Sequence, residues 1–256
     1  MGIIAGSSLH QQETGLQVND AVHLGQIFIV PALCVSILQI YEMLLLFCIL
    51  LLMQLIVITP DSEIKDEAGL VNGLFANGLQ RLHIRKPQFT TADYRNYIAS
   101  LDPKYHTHIV LHGGFELMNE FVLGGIHLNS MLRHYREALA DDLHPSQIST
   151  SFHSWQEIRD NEFEYGYVFI SPVFDSISKK GYKAEIAING ATEIKREFAV
   201  SNKYCPALIG LGGVGKEQID LLRQNGFDGA ALLGAIWLSA DPVTEFTEII
   251  KITRSL

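Results

Sequence analysis

Cysteine is scarce in this chain of 256 residues. Cys34, Cys48 and Cys205 are the whole complement, an odd number with no CxxC pair and no Cys/His ligand spacing. A disulfide framework and a cysteine zinc site are thereby excluded, and a reducing cytoplasm is the expected setting. Basic residues are also few: 19 Lys and Arg stand against 28 Asp and Glu, for a formal net charge of -9 and a pI near 5.5. Nucleic acid is excluded as a partner by that balance, because binding a phosphate backbone draws on clustered Lys and Arg. No Lys or Arg precedes Lys65, and residues 1–52 carry only Glu13, Asp20 and Glu42 as charged side chains.

That nearly uncharged stretch holds a long apolar run, IFIVPALCVSILQIYEMLLLFCILLL, from Ile27 to Leu52. It is long enough to span a bilayer. It lacks the basic flank that orients a membrane helix and the basic start of a secretory signal. Glu42 near its middle would cost about 2.5 kcal/mol or more on insertion. The run leads without a linker into MQLIVITPDSE, so a start at Met53 would leave a complete second segment. Three readings of residues 1–52 stay open: an over-extended reading frame, a membrane anchor, or a packed helix. Contact with a membrane is expected only if residues 27–52 are such an anchor.

Beyond Met53 the pattern changes to short β-branched runs alternating with amphipathic segments, the mark of repeated βα units. Eight strands are predicted: LIVIT from Leu55, RLHIR from Arg81, HIVLH from His108, GGIHL from Gly124, QISTS from Gln147, YVFI from Tyr167, ALIGL from Ala207 and GAALL from Gly229. Helices are predicted over 63–76, 93–98, 115–123, 131–139, 155–161, 188–198, 217–224 and 243–252. In the first of these, Ile64, Ala68, Val71 and Phe75 share a face and Gly78 ends the helix. Eight such units predict a (β/α)8 TIM barrel over 53–256. An open doubly wound sheet would show GxGxxG after its first strand, whereas Pro60, Asp61 and Ser62 follow here.

In a barrel, function is expected where the strands end. The seventh strand runs into GLGGV, Gly210 to Val214, and the eighth into Gly234, Ala235 and Ile236. Small residues at these two turns let backbone N–H groups reach phosphate oxygens. Gly212, Gly213, Gly234 and Ala235 are therefore the expected phosphate contacts; the alternative is a tight turn needing glycine for positive φ.

Four segments then carry a resemblance: HIR at His83 to Arg85, SFHS at Ser151 to Ser154, SPVFDSISKKG at Ser171 to Gly181, and GLGGV. In this order and placement the chain resembles the thiamine phosphate synthase family, which includes the TenI-like thiazole tautomerases, over essentially all of Met53 to Leu256. The resemblance implies an enzyme of thiamine biosynthesis that binds thiazole phosphate. The synthase branch condenses hydroxymethylpyrimidine diphosphate with thiazole phosphate and implies Mg²⁺ held by carboxylates after strands three and four. Here His112, Gly113 and Gly114 stand where that branch has an Asn-Asp pair, and Asn129, Ser130 and Met131 where it has another Asp. Glu116 nearby reads as a helix N-terminal charge.

The tautomerase branch moves a proton and implies no cofactor, so the expected activity leans to proton transfer with His153 as the acid/base. The synthase reaction is the alternative, and a non-catalytic precursor-binding barrel a further one. Arg85 is the expected bidentate anion contact, with a salt bridge at the barrel mouth as its plain role. His83, inward by the same alternation, is a substrate contact or a satisfied polar residue. Ser176, Ser178 and Lys179 are expected ligand contacts on resemblance. His112 and His127 suggest a metal pair, but no carboxylate or third histidine at recognisable spacing completes it, so no metal site is expected. The sequence leaves a homo-oligomer open.

Overall fold

A computed structural model of the chain describes residues 53–139, 143–175 and 186–254. The hydrophobic extension, and the loop carrying Ser176, Ser178 and Lys179, lie outside the described residues. Among the described residues no helix is long and apolar enough to cross a membrane.

Eight parallel strands close into a barrel in chain order: β1 (Gln54–Ile58), β2 (Arg81–Ile84), β3 (Ile109–Leu111), β4 (Gly125–Leu128), β5 (Ile148–Phe152), β6 (Tyr167–Ile170), β7 (Ala207–Leu211) and β8 (Gly229–Leu232). β8 returns to β1 with Leu55 opposite Ala230. Every predicted strand is present, with ends shifted by at most one residue. The α-helices are α1 (Glu67–Ala76), α2 (Thr91–Ala99), α3 (Trp155–Arg159), α4 (Gly190–Val200), α5 (Ile219–Gln224), α6 (Gly234–Trp237) and α7 (Pro242–Arg254).

Two predicted crossover helices are instead 3-10 segments, Phe115–Asn119 and Arg133–Leu139. The first starts from Gly114 at φ 64, and Glu116 does sit in its first turn, accepting a bond from the Thr91 hydroxyl. α1 begins four residues later than predicted, after Asp66 in a left-handed conformation. Its far end behaves as expected: Gly78, at φ 98, donates its N–H to Phe75 O at 3.0 Å. α2 is fixed by Thr90, which accepts from Asp93 N while Asp93 accepts from Thr90 N, a reciprocal cap.

Strand alternation sorts side chains between two cores. Leu55, Val57, Leu82, Ile84, Leu111 and Val168 point outward against helix residues such as Val71, Leu74, Ile98, Ile194 and Phe246. Ile56, Ile58, Tyr167, Phe169, Ile209 and Ala231 fill the interior. Strands buried on both faces explain why their sequence reads as continuous apolar runs. Each buried Leu, Ile or Phe contributes about 1.5–3 kcal/mol relative to exposure. Polar ties complement this packing. Trp237 Nε1 donates to Ile58 O at 2.7 Å, holding the short α6 against the end of β1. Lys86 and Glu67, nearly fully buried, pair at 2.8 Å between β2 and α1, and Tyr97 donates to Glu67 at 2.7 Å.

Candidate active site

The interior alternation brings three histidines into one group. His83 lies opposite Ile58, and His127 opposite Ser149, which in turn faces Tyr167. All of these share the inward face, as does His112, which follows β3 two residues beyond Val110. His83 Nδ1 lies 2.9 Å from His112 Nε2, and its Nε2 lies 2.5 Å from the Tyr167 hydroxyl. His127 has Nδ1 and Nε2 each 2.9 Å from a serine hydroxyl, Ser149 and Ser151 respectively. The His112 and His127 rings stack with centroids 4.3 Å apart. Phe169 packs on His83 and His127 at 4.8 and 4.9 Å.

His83 and His127 are buried, and His112 is partly exposed at the strand end. Burial holds all three imidazoles below the ordinary histidine range. At His83 repulsion from His112, His127 and Arg81 adds to it; at His112, His127 and Arg85 do so. Burial and then the Arg85 charge push His127 down to about 3. The group is therefore neutral at physiological pH, the state in which each ring keeps one bare nitrogen.

Arg85, one inward step beyond His83, forms the salt bridge with Asp61. Its backbone is clamped by Thr59, which accepts from Arg85 N at 2.8 Å and donates to Arg85 O at 3.2 Å. The Arg85 side chain remains 42% exposed, so it can still meet an anion. His153, just past β5, is exposed and donates Nδ1–H to Ser171 O at 2.8 Å. That bond selects the tautomer with Nε2 bare. The cap of α3 belongs to its neighbour Ser154, which accepts from Glu157 N at 3.2 Å.

Across the mouth the site is made of backbone. Gly212 and Gly213 have φ 94 and 66, in the left-handed region. A Cβ on Gly212 would sit 2.9 Å from Pro172 Cα, and one on Gly213 2.8 Å from the Phe174 carbonyl carbon. These glycines let the segment after β6 lie against the turn, where Val173 N donates to Leu211 O at 3.0 Å and Phe174 N to Gly212 O at 3.1 Å. The N–H groups of Gly212, Gly213, Gly234 and Ala235 donate to no other described residue.

The residues after β3 and β4 do not fit Mg²⁺, which takes oxygen ligands. Asn129 uses its side-chain oxygen on Met131 N and Leu132 N, both at 3.0 Å. Glu116 is engaged by Thr91, and the group of metal-capable side chains among the described residues is made of imidazole nitrogens, those of His83, His112 and His127. Spacing along the chain hid the third histidine: His83 precedes His112 by a whole βα unit. The signal that finds it is parity, one inward histidine on each of three successive strands.

Fold and site together define a (β/α)8 barrel whose polar groups converge where the strands end, the usual place for catalysis in this fold. A family model described as thiamine monophosphate synthase matches residues 55–236, and the chain belongs to that family. The thiamine-phosphate synthase of Bacteroides thetaiotaomicron is 28% identical over 88 residues, 34% of this chain and 42% of that protein. The Bacteroides fragilis synthase is 30% identical over 86 residues, again covering 42% of it. The matched stretch thus spans less than half of these curated relatives. A solved structure titled thiamine phosphate pyrophosphorylase, from Bacteroides thetaiotaomicron, has TM-score 0.60 and 28% identity, covering 78% of this chain and 97% of that one. The Pyrococcus furiosus protein of the same description, at 18% identity and TM-score 0.63, shares the fold.

Proposed function

We propose that this barrel is an enzyme of thiamine biosynthesis that binds thiazole phosphate at its mouth and condenses it with hydroxymethylpyrimidine diphosphate, as a thiamine-phosphate synthase; the thiazole nitrogen replaces the diphosphate, which leaves. The likeness to the Bacteroides thetaiotaomicron structure, over 97% of that chain, is the observation that carries this reading. The names of the curated relatives support condensation over the proton transfer that the sequence favoured.

In this reading the free N–H groups of Gly212, Gly213, Gly234 and Ala235 receive the thiazole phosphate. Arg85, held in place by Asp61, supplies positive charge from the end of β2, one strand removed from β8. Ser176, Ser178 and Lys179, which lie outside the described residues, are further ligand contacts on the family resemblance. None of these steps calls on Mg²⁺.

A second reading, thiazole tautomerisation, is favoured by one observation: His153 is oriented by Ser171 O with its Nε2 bare, the arrangement of a general acid/base. The two are separated by giving the full chain both substrates in parallel assays, with and without added divalent metal. Thiamine phosphate detected by mass spectrometry is the expected product. Isomerisation of the thiazole carboxylate phosphate without condensation would replace the first reading by the second, and His153→Ala should then lower that rate by about 10²–10⁴-fold. Tight binding with neither turnover would identify a non-catalytic barrel.

A further inference from the structure

The sequence reading expected no metal, and the donors present do not fit Mg²⁺. What the barrel offers instead is a different set. We propose that His83, His112 and His127 form a three-imidazole site for a divalent transition metal, zinc foremost, just inside the barrel mouth.

The ligand atoms of the three residues all lie within 4.8 Å of one another. Tetrahedral Zn–N bonds of about 2.0–2.1 Å place ligand nitrogens roughly 3.3 Å apart, so each ring needs to move by less than about 1 Å. Nitrogen ligands select Zn²⁺, Co²⁺, Ni²⁺ or Cu²⁺ over Mg²⁺ and Ca²⁺.

The outer partners of the rings have the form such a site requires. Ser149 donates its hydroxyl to Ile126 O at 3.2 Å, so toward His127 it accepts. His127 is therefore protonated on Nδ1, and its bare Nε2 is the ligand atom, with Ser151 donating to it until a metal displaces that bond. His83 has Nε2 on the Tyr167 hydroxyl and Nδ1 2.9 Å from His112 Nε2. In the tautomer with Nε2–H donating to Tyr167, Nδ1 accepts from His112 and is the atom a metal would take, the His112 proton leaving Nε2 on binding. Metal-binding histidines are oriented in this way, by a second N–H bonded to a fixed acceptor. Three protein ligands leave the fourth position for water or a substrate oxygen, the pattern of catalytic rather than structural zinc. Partial exposure of His112 puts that side toward the mouth.

The inference does not depend on whether the barrel condenses or isomerises, and its test uses no turnover. The purified full chain, stripped with chelator, is titrated with Zn²⁺ by calorimetry and with Co²⁺ by visible absorption. One equivalent of each should bind, Co²⁺ should show the intense d–d bands of a tetrahedral nitrogen site, and millimolar Mg²⁺ should not compete. His112→Asn, at the partly exposed ligand, should weaken Zn²⁺ binding on the order of 100-fold or more while leaving the circular dichroism spectrum unchanged, and Ser149→Ala should weaken it by about 10–100-fold. Absence of one-to-one binding, a weak octahedral Co²⁺ spectrum, or full binding by a folded His112→Asn would each overturn the proposal.

Discussion

The two sides of the barrel mouth solve the same problem, placing polar groups in a packed interior, by opposite means. From β2 to β4 the chain uses large rings: His83 bonded to His112 and Tyr167, His127 bonded to two serines and stacked on His112, with Phe169 packed on His83 and His127. From β7 to β8 it uses almost no side chain, and the polar groups are N–H groups bared by glycine and alanine. The difference fixes what each side can recognise. A rigid cup of N–H groups suits an anion whose charge is constant, whereas the imidazoles have protonation states and lone pairs that a reaction or a metal can use. It also separates their weaknesses: the histidine side is sensitive to protons, the glycine side to added carbon.

Acid gives the largest expected effect. All three histidines have folded-state values below the unfolded value of about 6.5, so in acid the unfolded chain binds more protons and stability falls with pH. Above pH of about 6.5 this contribution is flat; below it, each histidine removes up to about 1.4 kcal/mol per pH unit, less for the partly exposed His112. Urea midpoints of the metal-stripped protein measured from pH 7.5 to 5 should fall steeply, and His127→Gln should lessen the slope. A pH-independent midpoint would mean that the histidine group is not buried.

Next comes Gly213→Val. The substitution forces a β-branched residue to φ 66 and drives its side chain into Phe174 and the Asp175 backbone. A loss of about 3 kcal/mol or more is expected from strain and overpacking, read as a lowered urea midpoint with an unchanged slope. Stability equal to that of the parent would show that the segment after β6 does not lean on this turn.

How far the sequence disclosed this contrast differs between the sides. All eight strands were legible, because burial on both faces leaves continuous apolar runs that turn residues interrupt. The glycine turns were legible as well, although their structural task, admitting the segment after β6, was not, since close approach between two loops leaves no periodic trace. The predicted helices after β3 and β4 are less regular than their composition suggests: the short segment Phe115–Asn119 tightens to a 3-10 turn after the left-handed Gly114. The histidine group was half legible. The sequence pairs His112 with His127 but presents His83 as an isolated strand residue, because the pairing of β2 with β3, not sequence distance, makes it their neighbour. Arg85 took the plain role, its salt bridge with Asp61, while staying exposed enough for a ligand.

Tyr167→Phe probes the histidine side more gently. It removes the acceptor or donor 2.5 Å from His83 Nε2 and leaves that buried nitrogen unpaired, at a cost of about 1–3 kcal/mol. The interior volume is nearly conserved, so the loss reports the hydrogen bond rather than a cavity. Chemical denaturation at pH 7.5, where the histidines are neutral in both states, isolates it. A neutral outcome would mean that His83 finds another partner and that the network is adaptable.

The smallest stability effect is expected at Gly234→Ala, and it sharpens the comparison most. Gly234 opens α6 and is not among the glycines with positive φ, so a methyl group there changes stability by less than about 0.5 kcal/mol. It would nevertheless stand beside the free N–H groups of the β8 turn. If those groups hold a phosphate, thiazole phosphate or inorganic phosphate should protect the parent against thermal unfolding and protect Gly234→Ala measurably less, because a ligand stabilises only in proportion to its affinity for the folded state. Equal protection would move the phosphate away from β8, to the Gly212–Gly213 turn or to Arg85, and the backbone side of the mouth would then owe its glycines to packing alone.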